Sequence, residues 1–531
     1  MIRDRGDPPV RDAHVGFELR VHGRDETAAD DHVDSHAETL LRWLSMSFRF
    51  AFGRPPAIAH EAMAATSQPL ATRAALRMME RGGNAADAAV AAAAMLCVTE
   101  PMSTGIGGDA FALVWRDGKV EALDAAGPAP VRAEPVEPVE ERGPRSVDVP
   151  GAVAGWAELS HRYGRLGLAA CLADAIDVAE RGFAVGARTA ALWQPPTSGV
   201  SWTSFDLPPE FAPAPAAGTV VRLPELARTL RALAEEGPDA FYRGDVARAI
   251  CSVSWLEESD LAGYRALWVE PLRLNYRGVE VLELPPPTQG VAALEALGLL
   301  RGLRPTLAHK ISAAALALED ARAHVRDDAD VAWLLDDDYL DRRRAQIPEP
   351  TPAIGGGTVY LCAVDVDRMA VSFIQSLYAS FGSGVVAPGT GIVLQNRGSC
   401  FSVHGRVEPG KRPYHTIIPG LLLRDGTVLG PFGVMGGFIQ AQAHMQLVSA
   451  LVDDGLDPQA AIDRPRFRVE GEVVLLEEGL WPEADALEQA GHQVVRETET
   501  TVFGGGQAIL VEGEALIGGS DPRKDGYAAG Y

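Results

Sequence analysis

Basic charge is the first thing this chain is short of. Its 72 Asp and Glu outnumber 48 Lys and Arg, leaving a formal net charge of −24 at pH 7. Such a balance repels phosphate backbones and anionic lipid headgroups, which argues against nucleic acid and membrane partners. Cysteine is scarce too. The five present (Cys97, Cys171, Cys251, Cys362 and Cys400) are odd in number, far apart and without a CxxC pair. That argues against a disulfide framework or a zinc site and favours a reducing compartment, so a cytoplasmic location is expected. No HExxH motif or clustered ligand set occurs, and no metal or other cofactor is expected. Met1 is not followed by the apolar core of a signal peptide, and Leu40-Leu41-Arg42-Trp43-Leu44 is too short to span a membrane. Nothing repeats at a fixed period.

What the chain does have is length and apolar content. At 531 residues and 47% hydrophobic it can bury a large core. The first 45 residues differ from the rest, with many Asp and Arg, four of the twelve histidines and little apolar periodicity. His32 and His36 are spaced as metal ligands could be, but a solvated, disordered tail is by far the better reading of so polar a stretch. Residues 1–60 are therefore expected to be a disordered N-terminal extension, with Met46 an alternative start. Beyond it, Pro69 to Arg81 reads as an amphipathic helix stopped by Gly82-Gly83. Asn84 and Asp87 have capping-box spacing before an Ala-rich helix through Cys97. Gly105-Ile106-Gly107-Gly108-Asp109 opens a strand rather than a helix, which argues against a phosphate loop, and Asp117-Gly118 closes a hairpin. The acidic, Pro-rich stretch Asp327 to Pro352 reads as an exposed loop.

That loop leads to Gly355-Gly356-Gly357-Thr358-Val359-Tyr360-Leu361-Cys362-Ala363-Val364-Asp365, a strand followed by the turn Asp365–Arg368 and a second strand through Ile374. One reading is a Gly-rich loop before a hairpin. The other is a self-cleaving junction. Glycine permits a strained backbone at the Gly357–Thr358 bond and clears side chains from it. A Thr358 freed there would carry a hydroxyl nucleophile and an α-amine of pKa roughly 7.7–8.0, able to act as its base.

Together with Phe381-Gly382-Ser383-Gly384, Pro431-Phe432-Gly433-Val434-Met435-Gly436-Gly437 and Ser520-Asp521-Pro522-Arg523, this stretch resembles the gamma-glutamyltransferase family. The likeness runs from near Glu61 to Tyr531. It implies an N-terminal-nucleophile (Ntn) hydrolase with an α+β fold, an αββα four-layer sandwich with additional helices. It implies autocatalytic cleavage between Gly357 and Thr358 into a large subunit (61–357) and a small catalytic subunit (358–531) of one domain. Thr358 is then the nucleophile, Ser376 a second hydroxyl beside it, and the Gly436 and Gly437 amides an oxyanion hole, although a tight turn before a helix would also explain the two glycines.

The clamp for a γ-glutamyl group departs from the family pattern. In Asp124-Ala125-Ala126-Gly127-Pro128, Ala126 replaces an arginine. Tyr378 and Cys400 stand where an Asn and an acidic residue would hold the α-amine, and His415 and Thr416 replace paired serines. The family's lid is shortened to Phe401–Pro413. Arg397 is a new polar group, read either as a bidentate carboxylate ligand or as a surface salt bridge. The pattern resembles the branch holding cephalosporin or glutaryl acylases and oxamate amidohydrolase. Expected is a small-molecule amide substrate whose acyl group is not an ordinary γ-glutamyl. A genuine γ-glutamyl transferase or glutathione hydrolase, and a non-catalytic ligand-binding relative, stay as alternatives, as does a homo-oligomer.

Overall fold

The computed structural model describes residues 53–135, 138–195, 206–347 and 357–531. The expectations for residues 1–45, His32 and His36, and for Gly355-Gly356, lie outside these. Alternation of side chains along each strand gives two faces to bury, and this chain buries both on two stacked antiparallel sheets.

The first sheet takes β1 (Ala57–Ala59), β6 (Leu272–Tyr276), β7 (Val279–Glu283), β10 (Gly420–Arg424), β11 (Thr427–Met435), β12 (Gly505–Glu512) and β13 (Ala515–Ser520). The second takes β2 (Met63–Thr66), β3 (Asp109–Arg116), β4 (Lys119–Ala125), β5 (Leu267–Val269), β8 (Gly357–Val364), β9 (Ala370–Tyr378) and β14 (Tyr527–Gly530). Strand order is β1-β13-β12-β11-β10-β7-β6 in one and β14-β2-β8-β9-β3-β4-β5 in the other. Each sheet interleaves strands from before and after Thr358, so the two expected subunits build a single core.

Three apolar clusters define the layers. Tyr360, Cys362 and Ile374 of the second sheet meet Leu421, Met435 and Ile509 of the first between the sheets. Val359, Leu361 and Phe373, on the opposite face, pack under helices that include α1 (Pro69–Glu80) and α2 (Ala85–Thr99). Phe432, Val434 and Leu510 pack under α3 (Gly290–Leu300), α4 (Leu307–His324) and α5 (Ile439–Val452). The order helix, sheet, sheet, helix is the four-layer sandwich expected. The Asn84–Asp87 capping box forms as read, and every residue of α2 is buried, which its small side chains allow.

Two expectations need correction. The extension read as running to residue 60 stops earlier, because Ala57–Ala59 pairs with β13 from Ala57↔Gly518 to Ala59↔Leu516. The stretch read as a loop from Asp327 holds a helix, Asp337–Arg344. Its charges mislead a composition-based reading. Asp337 and Asp338 occupy the first turn and Arg342, Arg343 and Arg344 the last, each sign at the favoured pole. Leu340 is buried, and the Arg343 Nε donates to Asp320 at 2.8 Å.

A chain beginning at Met46 is expected to fold and process like the full one, since the first strand of the sandwich begins at Ala57. Aggregation of that truncated chain, or its failure to cleave, would refute this.

Candidate active site

Thr358 is the second residue of β8, at a bulge. Pairing with β9 shifts between Gly357↔Tyr378 and Val359↔Gln375, so Thr358 faces the extra residue of the neighbouring strand. Bulges re-aim side chains and recur beside active sites. Here the bulge sets Thr358 Oγ1 to donate to Ser376 Oγ at 3.3 Å. Thr358 is only 2% exposed in the uncut chain and its nitrogen is still in a peptide bond, so neither a substrate nor an amine base is yet available to it.

Ser376 Oγ accepts from the Tyr378 amide at 2.8 Å and from Arg397 Nη2 at 3.4 Å. Tyr378 has a φ of 78°, a left-handed conformation uncommon for a bulky residue, held where β9 ends. The Arg397 guanidinium lies over the Tyr378 ring at 4.4 Å from its centroid. Nη1 donates to Thr416 Oγ1 at 3.0 Å and lies 3.8 Å from Cys400 Sγ. Five of the residues singled out from the sequence, Ser376, Tyr378, Arg397, Cys400 and Thr416, thus form one cluster beside Thr358.

Arg397 is not on the surface. It is fully buried, and among the described residues no carboxylate lies within salt-bridge distance of it, although its charge is felt by the buried Asp148. This overturns the surface salt-bridge reading. Its Nε has no hydrogen-bond partner. The Asp148 carboxyl is also fully buried with neither oxygen hydrogen-bonded. Burial first, and then the nearby Asp109, push its pKa well above the usual carboxylate range, against the opposing pull of the Arg397 charge. Burial likewise raises the Cys400 thiol, so no thiolate balances the guanidinium.

His415 does not open onto this cluster as a free polar group. Its Nδ1 donates to the Pro413 carbonyl at 2.7 Å, and its Nε2 lies 3.0 Å from Asp109 Oδ2. Asp109 Oδ1 accepts from the amides of Gly127 and Gly151 and from Gln395 Nε2. With both ring nitrogens engaged and the ring edge-on to Phe111, His415 is a cross-link between strands and loops. Burial holds its pKa below the ordinary value. Replacing it with leucine takes from Asp109 Oδ2 its described partner and from the Pro413 carbonyl its donor, both fully inside the protein. His415→Leu is expected to cost about 3 kcal/mol of stability in denaturant unfolding; an unchanged midpoint would restore a ligand-binding role.

Ala126 is buried among the side chains between the sheets. The shortened connection after Phe401 is tied down at its far end, where Lys411 pairs with Asp328 and Arg412 with Asp327 and Asp124.

Gly436 and Gly437 follow β11 and precede α5 with φ of 128° and 72°, both in the region that favours glycine. A Cβ on Gly436 would lie 2.7 Å from Ile439 Cγ2. Neither amide donates to another described residue. Two glutamines that sequence reasoning missed brace this region, and one of them reaches the nucleophile. Gln440 Nε2 donates to Thr358 Oγ1 at 3.1 Å, while Gln289 Nε2 donates to the carbonyls of Gly437 and Thr416. The available signal was polar side chains on helices that are otherwise apolar and buried, which must find partners.

A sandwich of two antiparallel sheets between helical layers, with a threonine hydroxyl at the head of a central strand, defines the class of the N-terminal-nucleophile hydrolases. The family model for gamma-glutamyltranspeptidase matches residues 71–531, and the chain belongs to that family. It is 36% identical over 528 residues to the oxamate amidohydrolase proenzyme of Klebsiella pneumoniae, covering 88% of this chain and 98% of the relative. It is 34% identical over 514 residues to the glutathione hydrolase-like YwrD proenzyme of Bacillus subtilis, covering 87% and 97%. Among solved structures, a cephalosporin acylase from Bacillus halodurans superposes with a TM-score of 0.85 at 42% identity, over 91% of this chain and 98% of that one. The chain is thus a member of a family of hydrolase and acyltransferase enzymes.

Proposed function

We propose that this protein is an autoprocessed amidohydrolase whose acyl substrate carries a carboxylate. The first step is intramolecular. Thr358 Oγ1 attacks the Gly357 carbonyl carbon, the peptide C–N bond breaks, and the hydroxyl proton passes to the departing Thr358 nitrogen. The resulting ester is hydrolysed, leaving Thr358 as a new N-terminus. The relatives' designation as proenzymes supports this reading, as do the bulge at Gly357–Thr358 and the Ser376 hydroxyl beside the nucleophile.

In turnover the freed α-amine takes the Thr358 hydroxyl proton, Oγ1 bonds to the substrate's amide carbon, and the proton goes on to the departing amine. Water then hydrolyses the acyl-threonine ester and releases the acid. The Gly436 and Gly437 amides are the donors for the tetrahedral oxygen, each worth on the order of 3 kcal/mol when correctly placed.

The observation that carries the substrate class is the buried Arg397, bonded to Ser376 and, among the described residues, without a carboxylate within salt-bridge distance. A buried charge without a counter-charge costs several kcal/mol, and an anionic ligand offsets that cost. Where γ-glutamyl enzymes hold an ammonium, this site presents a cation, a phenol and a thiol. It therefore selects an acyl group with a carboxylate and without an α-amine. Oxamate and glutaryl amides have this chemistry, and the relatives named for an oxamate amidohydrolase and acylases support it.

The test is a substrate panel on the purified, cleaved protein: γ-glutamyl anilide, glutaryl anilide, a neutral butyryl anilide and oxamate. Turnover of glutaryl anilide or oxamate is expected to exceed that of the other two. Preference for γ-glutamyl anilide would instead restore ordinary γ-glutamyl chemistry, and no turnover of any amide would favour a ligand-binding role.

A further inference from the structure

We infer that Gln440 is a catalytic residue, the hydrogen-bond donor that stabilises negative charge on the nucleophile's own oxygen; this rests on the reading of Thr358 as nucleophile. Gln440 Nε2 donates to Thr358 Oγ1 at 3.1 Å, and its Oε1 accepts from the Ile418 amide at 3.0 Å. The second bond decides the first. An amide side chain can flip, but with an N–H facing Oε1 the NH₂ end must face Thr358. Gln440 is fully buried, so this orientation is not exchanged with water.

The support beneath Gln440 is equally determined. One turn on, His444 Nε2 accepts from the Val434 amide at 3.0 Å, so its Nδ1 carries the hydrogen donated to Glu283 Oε1 at 2.6 Å. β10 pairs with β11 only as far as Gly420↔Phe432, and His444 meets an amide of β11 beyond that point. Thus α5 is pinned to β11, the strand that ends just before Gly436-Gly437, so the oxyanion glycines and Gln440 share one support.

The chemistry needs such a donor twice. When Thr358 loses its proton on attack, charge gathers on Oγ1. When water opens the acyl ester, Oγ1 leaves and gathers charge again. A fixed N–H at 3.1 Å favours both transition states over the neutral hydroxyl or ester. In the uncut chain the same donor serves the attack on the Gly357 carbonyl.

The experiment compares Gln440→Met, which keeps shape and removes the donor, with Gln440→Glu, which can keep the Ile418 bond but sets an acceptor against Oγ1. Rates of self-cleavage and kcat and KM for glutaryl anilide are measured for both, with Thr358→Ala as control. Gln440→Met is expected to lower kcat and the cleavage rate about tenfold with KM within twofold, and Gln440→Glu to lower them further. Should a variant fail to fold, the same comparison is made with Gln440→Asn, whose shorter amide cannot span Ile418 and Thr358 together. If the folded variants match wild type in kcat and cleavage while Thr358→Ala is inert, the role of Gln440 is refuted and the nucleophile stands. If Thr358→Ala still cleaves and turns over, the nucleophile assignment itself fails.

Discussion

Thr358→Ala is expected to run as a single uncut chain with no amidase activity, whereas wild type separates on a denaturing gel into fragments 1–357 and 358–531. The variant removes the hydroxyl and the γ-methyl and leaves the anchors of the strand in place. Thr358 sits at the head of β8, where Val359, Leu361 and Ala363 anchor the strand beneath the helices, so the fold does not depend on the Oγ1 contact with Ser376. Both chemical events do. Self-cleavage needs an oxygen nucleophile on the residue that supplies the nitrogen of the scissile bond, placed to reach the preceding carbonyl, and turnover needs that oxygen together with the amine that cleavage exposes. Thr358→Ser keeps the hydroxyl and is expected to cleave, more slowly because the missing methyl leaves the side chain freer to rotate. A folded Thr358→Ala protein that still separates into two fragments at this bond would show that the hydroxyl is not the agent.

The second large effect concerns Arg397. Arg397→Ala is expected to lower kcat/KM on glutaryl anilide by about 10- to 100-fold, the equivalent of a charge-assisted bidentate pair worth roughly 1.5–3 kcal/mol. On a neutral butyryl anilide the change is expected to be small, and cleavage at Thr358 to proceed. Arg397→Lys keeps the charge but loses the fork that reaches Thr416 and Ser376 together, so it should fall between the two. The contrast between substrates separates recognition from structure. Arg397 also stacks on Tyr378 and bonds Ser376, so a structural residue there would lower both substrates alike. Equal losses would leave the specificity of this site to another group.

The features legible in the sequence were those written over short spans. The Asn84–Asp87 cap, the Asp117-Gly118 hairpin and the glycines at 436 and 437 each sit within a few residues of their effect. The nucleophile and its neighbours were legible through family resemblance, because Thr358, Ser376 and the glycines keep their types. What could not be read was pairing at long range. Asp109 and His415 are 306 positions apart, and nothing local shows that the histidine's two nitrogens are already engaged. Gln440 lies 82 positions from Thr358, on a helix whose apolar character suggests only burial. The segment from Asp327 misled for a related reason. Its acidic residues look solvated until Arg343 and Leu340 are seen packed against α4 and α3. Arg397 is the most instructive position. Composition assigns an arginine to the surface by default, and only the fold shows this one fully buried, bonded to Ser376 and Thr416.

The account stands on Thr358 carrying the acyl group. The most direct measurement is mass spectrometry of the cleaved enzyme, acid-quenched during turnover of glutaryl anilide and digested into peptides. The account predicts a glutaryl adduct on the peptide that begins at Thr358, borne by the hydroxyl and lost on incubation with water. An adduct on any other residue, or steady turnover under conditions where ester hydrolysis is rate-limiting with no adduct on that peptide, would contradict it.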